Sequence, residues 1–427
     1  VPSREPPRPV AWHVSRWRDD PWSRGSWSLL RPGGAPDDRR TIGEPVDDRF
    51  VLAGEATNAD APAMVHGAWA SGRRAAAWAA AAGASRVVVV GAGAAGIAAA
   101  GALAAEGVDV VVLEARDRLG GRIRTVELPG GAGEPPVRAD LGAAWLQQLD
   151  RNPLAGAAEA LGIATVPTAF ASPLAATARP PLPDVGAALA RLTAGAAALP
   201  VREPRSLAEL LGSALAGDGT DARAAALAVA ADVVLEAGLE PPELSVWALL
   251  EPGVGAGDRW FPRGFGQLLE HGARGLDVRL GRPVRAITWR AGASGGVRVH
   301  ADGGAEDADA CICTVPLGVL PSIELDPGLP RPHRTALARL AMGAVEKVVL
   351  RFDQRWWPVS PGGYLRWYDD PPCWGEWLDL TDGVGAPVVA GLIAGDAVAR
   401  HHDGRPDEEV ATAATAALAR WAAAVTS

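Results

Sequence analysis

The sequence predicts an α/β protein built on a buried parallel sheet, joined to a second part of α+β character. Three observations predict it. Val87–Val90 is a four-valine run, the pattern of a strand covered on both faces. Gly91-Ala-Gly93-Ala-Ala-Gly96 follows and opens an Ala-rich helix to about Glu106. A second strand, Val108–Leu113, ends at Glu114, 18 residues after Gly96.

In that order the pieces form a dinucleotide-binding fingerprint. Gly91 allows the tight turn, Gly93 lets the backbone approach a pyrophosphate, and Gly96 permits close helix–strand packing. The helix N-terminus turns its positive end to the phosphates. The Glu114 carboxylate can bind ribose hydroxyls. Residues 150–256 carry helical spacing, as in Leu207–Leu215 and Ala222–Leu235, with breaks at Arg179–Pro183 and Pro241-Pro242. Strand patterns return at Val278–Leu280, Val284–Ile287, Val297–Val299 and Cys311–Val315. Val345–Phe352 and Val388–Ile393 read as further strands, and about Glu408–Ala424 as a terminal helix.

Composition narrows the function. The chain has 427 residues, 48% apolar and 21% charged, as for a soluble globular protein of two or three domains. Net charge is −9 with no Lys/Arg-rich block, which argues against a nucleic-acid or anionic-membrane surface. No apolar stretch reads as a membrane span, and the opening VPSREPPRPV has no signal region. Three cysteines, Cys311, Cys313 and Cys373, fit a reducing cytoplasm rather than a disulfide scaffold. No Cys/His spacing resembles a metal site, the His401-His402 pair included. Of the 41 basic residues only Lys347 is lysine. In a chain that uses Arg wherever a positive charge suffices, a surviving Lys points to a task Arg cannot do, since a Lys pKa falls readily on burial while Arg stays charged; the alternative is chance survival of one surface lysine.

The fingerprint continues as EARDRLGGRIRT, Glu114 to Thr125. Asp140-Leu-Gly-Ala-Ala-Trp145 with Asn152-Pro153 follows, then Phe261-Pro-Arg-Gly264-Phe-Gly266 before Val284. Thr314-Val-Pro-Leu-Gly318-Val-Leu320, Met342-Gly-Ala-Val-Glu-Lys347-Val and Trp356-Trp357-Pro358 complete the series. Through nearly its whole length the chain resembles the flavin amine oxidase superfamily of monoamine oxidases, polyamine oxidases and histone lysine demethylases. Its order is unusual. Ser15-Arg-Trp17, Asp20–Ser28, Ala53–Thr57 and Val65–Gly72 resemble the family's C-terminal signature, yet they precede the fingerprint. The reading is a circular permutation, in which Ser427 runs into Val1 and the Ala75–Ala82 helix leads into Val87.

The resemblance implies a Rossmann-like FAD-binding domain of residues 18–84, 85–150 and 257–320. The substrate-binding domain would comprise 1–17, 151–256 and 321–427. It implies FAD contacts from Gly91, Gly93, Ala95, Gly96, Glu114, Ala115, Arg116, Gly121 and Arg122. Gly142, Ala143, Ala144 and Trp145 would lie beside the flavin, with Val284 by the adenine and Gly54 and Glu55 near the ribityl–pyrophosphate region. Backbone N–H groups around Met64, Val65 and Ala68, at a helix start, would face the flavin pyrimidine ring. Where some monoamine oxidases carry a flavin-linking Cys, this chain has Ser26, between Gly25 and Trp27, so the FAD is expected to be non-covalent.

By the same resemblance Lys347 is the active-site lysine that holds a water against flavin N5. Trp27 matches one wall of the aromatic cage around the amine, and Trp17 a Trp beside the flavin. The second wall falls on Ala61, leaving that half open or filled by Trp69, Trp374 or Trp377. The implied reaction is oxidation of a C–N bond of a primary or secondary amine to an imine, then aldehyde or ketone, with O2 reduced to H2O2. Gly142–Gln148 lacks the Arg that holds an amino-acid carboxylate, and neutral Gln147 does not suit a distal ammonium, so an amine with an apolar or bulky group leads. The coiled-coil insertion of the histone demethylases has no counterpart here. A dehydrogenase or desaturase on the same fold, an L-amino acid oxidase and a degenerate FAD-binding interaction protein are the alternatives. Oligomeric state is not legible.

Overall fold

The valine run lies at the centre of a five-stranded parallel sheet. Its order is Asp277–Arg279, Asp109–Leu113, Arg86–Val90, Ala310–Cys313, Phe50–Leu52. Val87, Val88 and Val89 keep no exposed surface, as a strand covered on both faces requires. The computed structural model describes residues 6–426 apart from 132, 218–220, 252, 254–256, 293–294 and 369–372. The expected join of Ser427 to Val1 lies outside the described residues.

The chain divides into two compact units. The fingerprint unit comprises residues 19–123 and 266–342, and the lysine unit residues 1–18, 124–265 and 343–427. Residues 124–150 and 257–265, expected with the fingerprint, belong to the lysine unit. Val126, Leu128, Ala139 and Trp260 share an apolar core with Ala11, Val349 and Val388 there. Residues 321–342, expected with the substrate part, belong to the fingerprint unit. Glu324–Asp326 pairs with Val284–Trp289, and Leu340–Met342 pairs with Ser28–Leu30.

In the fingerprint unit, helices Val65–Ala81 and Ala94–Ala105 pack together. A Cβ on Gly72 would lie 2.0 Å from the Ala95 carbonyl oxygen, so this approach needs glycine. A four-stranded sheet, Gly304–Ala308, Val297–Ala301, Val284–Trp289, Glu324–Asp326, completes the unit. Phe50 stacks on Trp289 with centroids 4.9 Å apart. The expected Cys311–Val315 strand ends at Cys313. Thr314 N–H still donates to Val90 C=O, but Pro316 has no N–H to continue the ladder. Both thiols in this strand are fully buried, and burial pushes Cys313 up to about 12. A thiol held protonated in this way is inert.

The lysine unit is built on a six-stranded sheet ordered Ala11–Val14, Val345–Arg351, Val388–Ala394, Glu376–Asp379, Tyr364–Tyr368, Leu174–Thr177. All neighbours are antiparallel except the last pair. The terminal helix Asp407–Thr426 covers one face with Val410, Leu418 and Trp421, all fully buried. The helical stretch contains Pro153–Ala160, Val185–Ala197, Leu207–Gly217 and Ala222–Ala228, as its periodicity predicts. The predicted helix over Ala222–Leu235 is interrupted. Val229–Val234 forms a π-turn before Leu235–Ala237, a feature that inserts a residue and re-aims the side chains after it.

Candidate functional site

The fingerprint turn has the stereochemistry the motif requires. Gly91 has φ +102°, and its Cβ would meet Thr314 Oγ1 at 2.7 Å. A Cβ on Gly96 would lie 1.8 Å from the Gly91 carbonyl oxygen. Gly93 is the N-cap of Ala94–Ala105 with no side-chain cap, and its Cβ would meet only Gly120 O, at 3.9 Å. Gly54 has φ +139° and open space where a Cβ would stand. Gly93 and Gly54 therefore leave bare backbone open to a close-lying ligand, which is the shape a dinucleotide cradle needs.

Glu114 is 4% exposed, at the end of the strand beside the valine strand. Its two carboxylate oxygens accept from Ala92 N (2.7 Å) and Arg116 N (2.9 Å). One lone pair on each stays available to a hydroxyl. Glu55 differs. It accepts from Ser28 N (3.2 Å), Ser28 Oγ (2.6 Å), Ala63 N (3.1 Å) and Arg122 Nη1 (2.9 Å). Burial disfavours its charge, but Arg122, Arg39 and the hydrogen bonds from Ser28 and Arg122 hold its pKa below the ordinary value. A carboxylate accepts about four such bonds. Glu55 thus ties Arg122 to the Glu55–Thr57 turn. Arg122 also donates to Ser26 O, and Arg116 donates to Asp20 and Ser23 Oγ.

The other fingerprint-unit residues are where the motifs put them along the chain. Ala95 is buried in the first turn after Gly93; Ala115 and Gly121 are half-buried. Gly120 and Gly121 both have positive φ, and Gly120 N–H donates to Ala92 O. Val284 starts its strand, 7% exposed, beside a bulge. Met64 is the N-cap of the Val65–Ala81 helix and gives no side-chain cap to the N–H groups that follow Val65, whereas Ala68 N–H, expected to face the flavin, donates to Met64 O at 3.0 Å and is not available to it. Trp27 is half-buried. Ala61 is buried and its carbonyl packs against Gly67, where a Cβ would come within 1.8 Å. Trp69 packs on Gly272. Trp374 and Trp377 are core residues of the lysine unit, 1% and 0% exposed.

The second constellation is in the lysine unit. Lys347 is 6% exposed on the Val345–Arg351 strand. Its Nζ donates to Gly142 O at 2.6 Å and Asp140 O at 3.3 Å. It lies 5.2 Å from the Trp145 ring centroid, and Trp145 Nε1 donates to Thr168 Oγ1. Burial lowers the Lys347 pKa to about 8, with Asp140 and Glu376 opposing. Ala143 is half-buried and Ala144 buried beside this bend, and Trp17 is buried at 6%. Ser15 Oγ accepts from Lys347 N–H and donates to Glu346.

Sequence reasoning passed over several residues here. Asp140 accepts from Thr125 Oγ1 and Phe265 N, yet burial raises its pKa to about 7. Arg366, 3% exposed, donates to Glu376, Asp232 and Tyr364. The signal was charge within an apolar strand, Arg366 alone in YLRWY and Glu376 with Asp379 in EWLD. Such a charge persists only when paired.

Asp140 gives a pH test. Its pKa is about 7 when folded against 3.8 ordinarily. The folded state binds that proton more tightly, so stability falls as pH rises through this window. Asp140→Asn is expected to remove the fall, worth on the order of 4 kcal/mol above pH 7. Melting curves from pH 4 to 8 check it. Equal pH slopes for the two proteins would count against an elevated Asp140.

The sequence model of the flavin containing amine oxidoreductases matches residues 1–79 and 94–426. The chain belongs to that family. It is 31% identical over 357 residues to the Arabidopsis thaliana protein "Lysine-specific histone demethylase 1 homolog 1", covering 76% of this chain and 41% of that protein. The chain thus spans about two fifths of that relative's length. Among solved structures, putrescine oxidase bound to putrescine superposes with TM-score 0.62 at 23% identity, over 79% of this chain and 81% of that one. Cyclohexylamine oxidase from Brevibacterium oxydans IH-35A gives TM-score 0.61 at 24% identity, over 77% and 79%. These likenesses establish a mixed α/β flavin amine oxidase fold. The family's cofactor is FAD. Among the described residues no helix is long and apolar enough to cross a membrane, and no His/Cys/Asp/Glu group could hold a metal ion.

Proposed function

We propose that the protein oxidises a C–N bond of a primary or secondary amine with non-covalently held FAD, O2 taking the electrons as H2O2. The observation that carries this is the buried Lys347, the chain's one lysine, on the six-stranded sheet of an amine oxidoreductase. The open backbone at Gly93 and Gly54, with the uncapped helix start, fits the pyrophosphate; Glu114 fits the ribose. Bound FAD supplies the two-electron acceptor.

The chain's own groups handle protons and orientation. The CH–NH unit gives up two electrons and two protons, which O2 takes to form H2O2, and water then splits the imine. The amine must enter this step unprotonated, because an ammonium has no lone pair to expel hydride. Lys347, with a pKa near 8, exchanges a proton close to neutral pH, where an ordinary lysine at 10.5 stays charged. Gly142 O and the Trp145 face hold its Nζ in place. With FAD and substrate bound, Trp27 would serve as an aromatic wall for the amine, and Trp17 would be a Trp beside the flavin. The chain order is a circular permutation of the family's. The family match breaks between residues 79 and 94, where this reading joins the family's end to its beginning. Phe50–Leu52, from the leading segment, pairs into the fingerprint sheet, which supports the same reading.

The test is anaerobic addition of aryl-alkyl amines, aliphatic amines, polyamines, N-methyl-lysine peptides and amino acids while the flavin spectrum is followed. Bleaching by one class, with peroxide on readmitting air, is the expected result. An intact flavin spectrum that no amine bleaches would overturn it in favour of C–C dehydrogenation or a degenerate binder.

A further inference from the structure

The fingerprint unit buries a guanidinium that its glycine turn does not account for. Arg39 lies on the helix Pro36–Ile42 with no exposed surface. It shares that helix's inner face with Ile42, three positions on and equally buried. A buried cation persists only when its charge is met. The acid before it, Asp38, forms an ion pair with Arg339 at 3.2 Å. Arg39 donates to Ser28 Oγ at 2.6 Å and to Ser28 O at 3.1 Å. Ser28 is itself fully buried, and its hydroxyl donates to Glu55 at 2.6 Å.

Glu55 therefore serves two guanidiniums. The second is Arg122, whose Nη1 donates to Glu55 and to Ser26 O, both at 2.9 Å. Arg122 Nε and Nη2 have no partner among the described residues, and the side chain is 22% exposed against 7% for Glu55. Paired one to one, Glu55 would cancel the charge of Arg122. With Arg39 present, two guanidiniums and one carboxylate leave one positive charge in excess. Arg39 is sealed from any ligand, so the excess is felt at Arg122. Such an offset in a low-dielectric interior is screened little by salt.

We propose that Arg39 is a positioning residue for the cofactor: joined to Glu55 through Ser28, it offsets that carboxylate and leaves the Arg122 charge to the FAD pyrophosphate. This rests on the reading that the fingerprint turn and Arg122 hold the pyrophosphate. Arg39 acts through Glu55 and touches no cofactor atom. Glu55 is then a strut between Arg39 and Arg122, its lone pairs taken up by Ser28, Ala63 and Arg122 rather than by a hydroxyl of the cofactor. Position 39 needs a charge, because a neutral donor would satisfy Ser28 and still leave Glu55 to cancel Arg122.

The experiment measures FAD release on dilution of the holoenzyme, read by the fluorescence of free FAD. It compares wild type, Arg39→Gln, Arg39→Lys, Arg122→Met and the double variant Arg39→Gln with Glu55→Gln. Gln can still donate to Ser28 but carries no charge. Arg39→Gln is expected to raise the FAD Kd by about tenfold or more, and adding Glu55→Gln should recover most of that loss. Arg39→Lys keeps the charge and should stay within about threefold of wild type. If Arg39→Gln yields no folded holoenzyme, the double variant, which leaves no carboxylate without its counter-charge, carries the comparison. An unchanged Kd in Arg39→Gln, a loss that the double variant does not recover, or a loss of about tenfold in Arg39→Lys overturns the role of Arg39 alone. An unchanged Kd in Arg122→Met overturns the pyrophosphate reading at Arg122 and this inference with it.

Discussion

Lys347→Met is expected to cut turnover by about a hundredfold or more, the usual scale for loss of a placed proton-transfer group. The variant should keep its flavin. Met fills a similar volume and brings no charge to bury, although Gly142 O and Asp140 O lose their donor, a cost of about 1–3 kcal/mol. Anaerobic reduction and aerobic reoxidation, timed separately, show which half-reaction slows. The pH profile carries the sharper signature. Wild type should show an ionisation near 8 that the variant lacks. Stability has a definite sign as well. The folded pKa is depressed from 10.5 to about 8, so the unfolded chain binds the extra proton between those values. Wild-type stability therefore rises with pH across that window, and the variant's does not. Lys347→Arg should be nearly as slow as Met, because a guanidinium cannot give up its proton there. Full activity in Lys347→Arg would remove Lys347 from the chemistry.

Gly96→Val is expected to yield protein that retains less than about a tenth of its flavin and is destabilised by about 3 kcal/mol. A Cβ at that position would be 1.8 Å from Gly91 O and 3.2 Å from Thr314 Oγ1. Gly91 belongs to the turn that would shape the pyrophosphate cradle and already sits at φ +102°, and Thr314, at the end of the neighbouring strand, donates its Oγ1 to Val90 O and Gly91 O. Relief would have to move the backbone that the ligand needs. Gly101→Ala, in the same helix, is the control. Its Cβ would meet only Gly272 O, at 4.0 Å, and alanine improves helix propensity by about 1 kcal/mol. Flavin content by absorbance and urea midpoints separate the two. A flavin-replete Gly96→Val would show that this helix does not cradle the cofactor.

The valine strand, the glycine turn and the helix after it were legible because each is local. Steric limits at Gly91 and Gly96 act within a few residues, and burial on both faces leaves a plain apolar run. Lys347 stood out through composition alone, since a chain of arginines kept one lysine. The limits of the two units were not legible. Residues 124–150 join the lysine unit because Val126 and Leu128 find their apolar partners on a strand more than 200 positions later, Val349. The π-turn was not legible either, because Val229–Val234 has ordinary helical spacing.

By itself, then, the sequence determined the fingerprint fold, the flavin amine oxidoreductase family and the one lysine. Only the tertiary structure decided that Trp145 lies over Lys347, that Asp140 holds its proton to about pH 7, and that Glu376 and Arg366 share a row with the lysine. A side chain's periodicity records which face is buried. Register between strands distant in the chain, which sets what a buried charge meets, is fixed by packing and leaves no local trace.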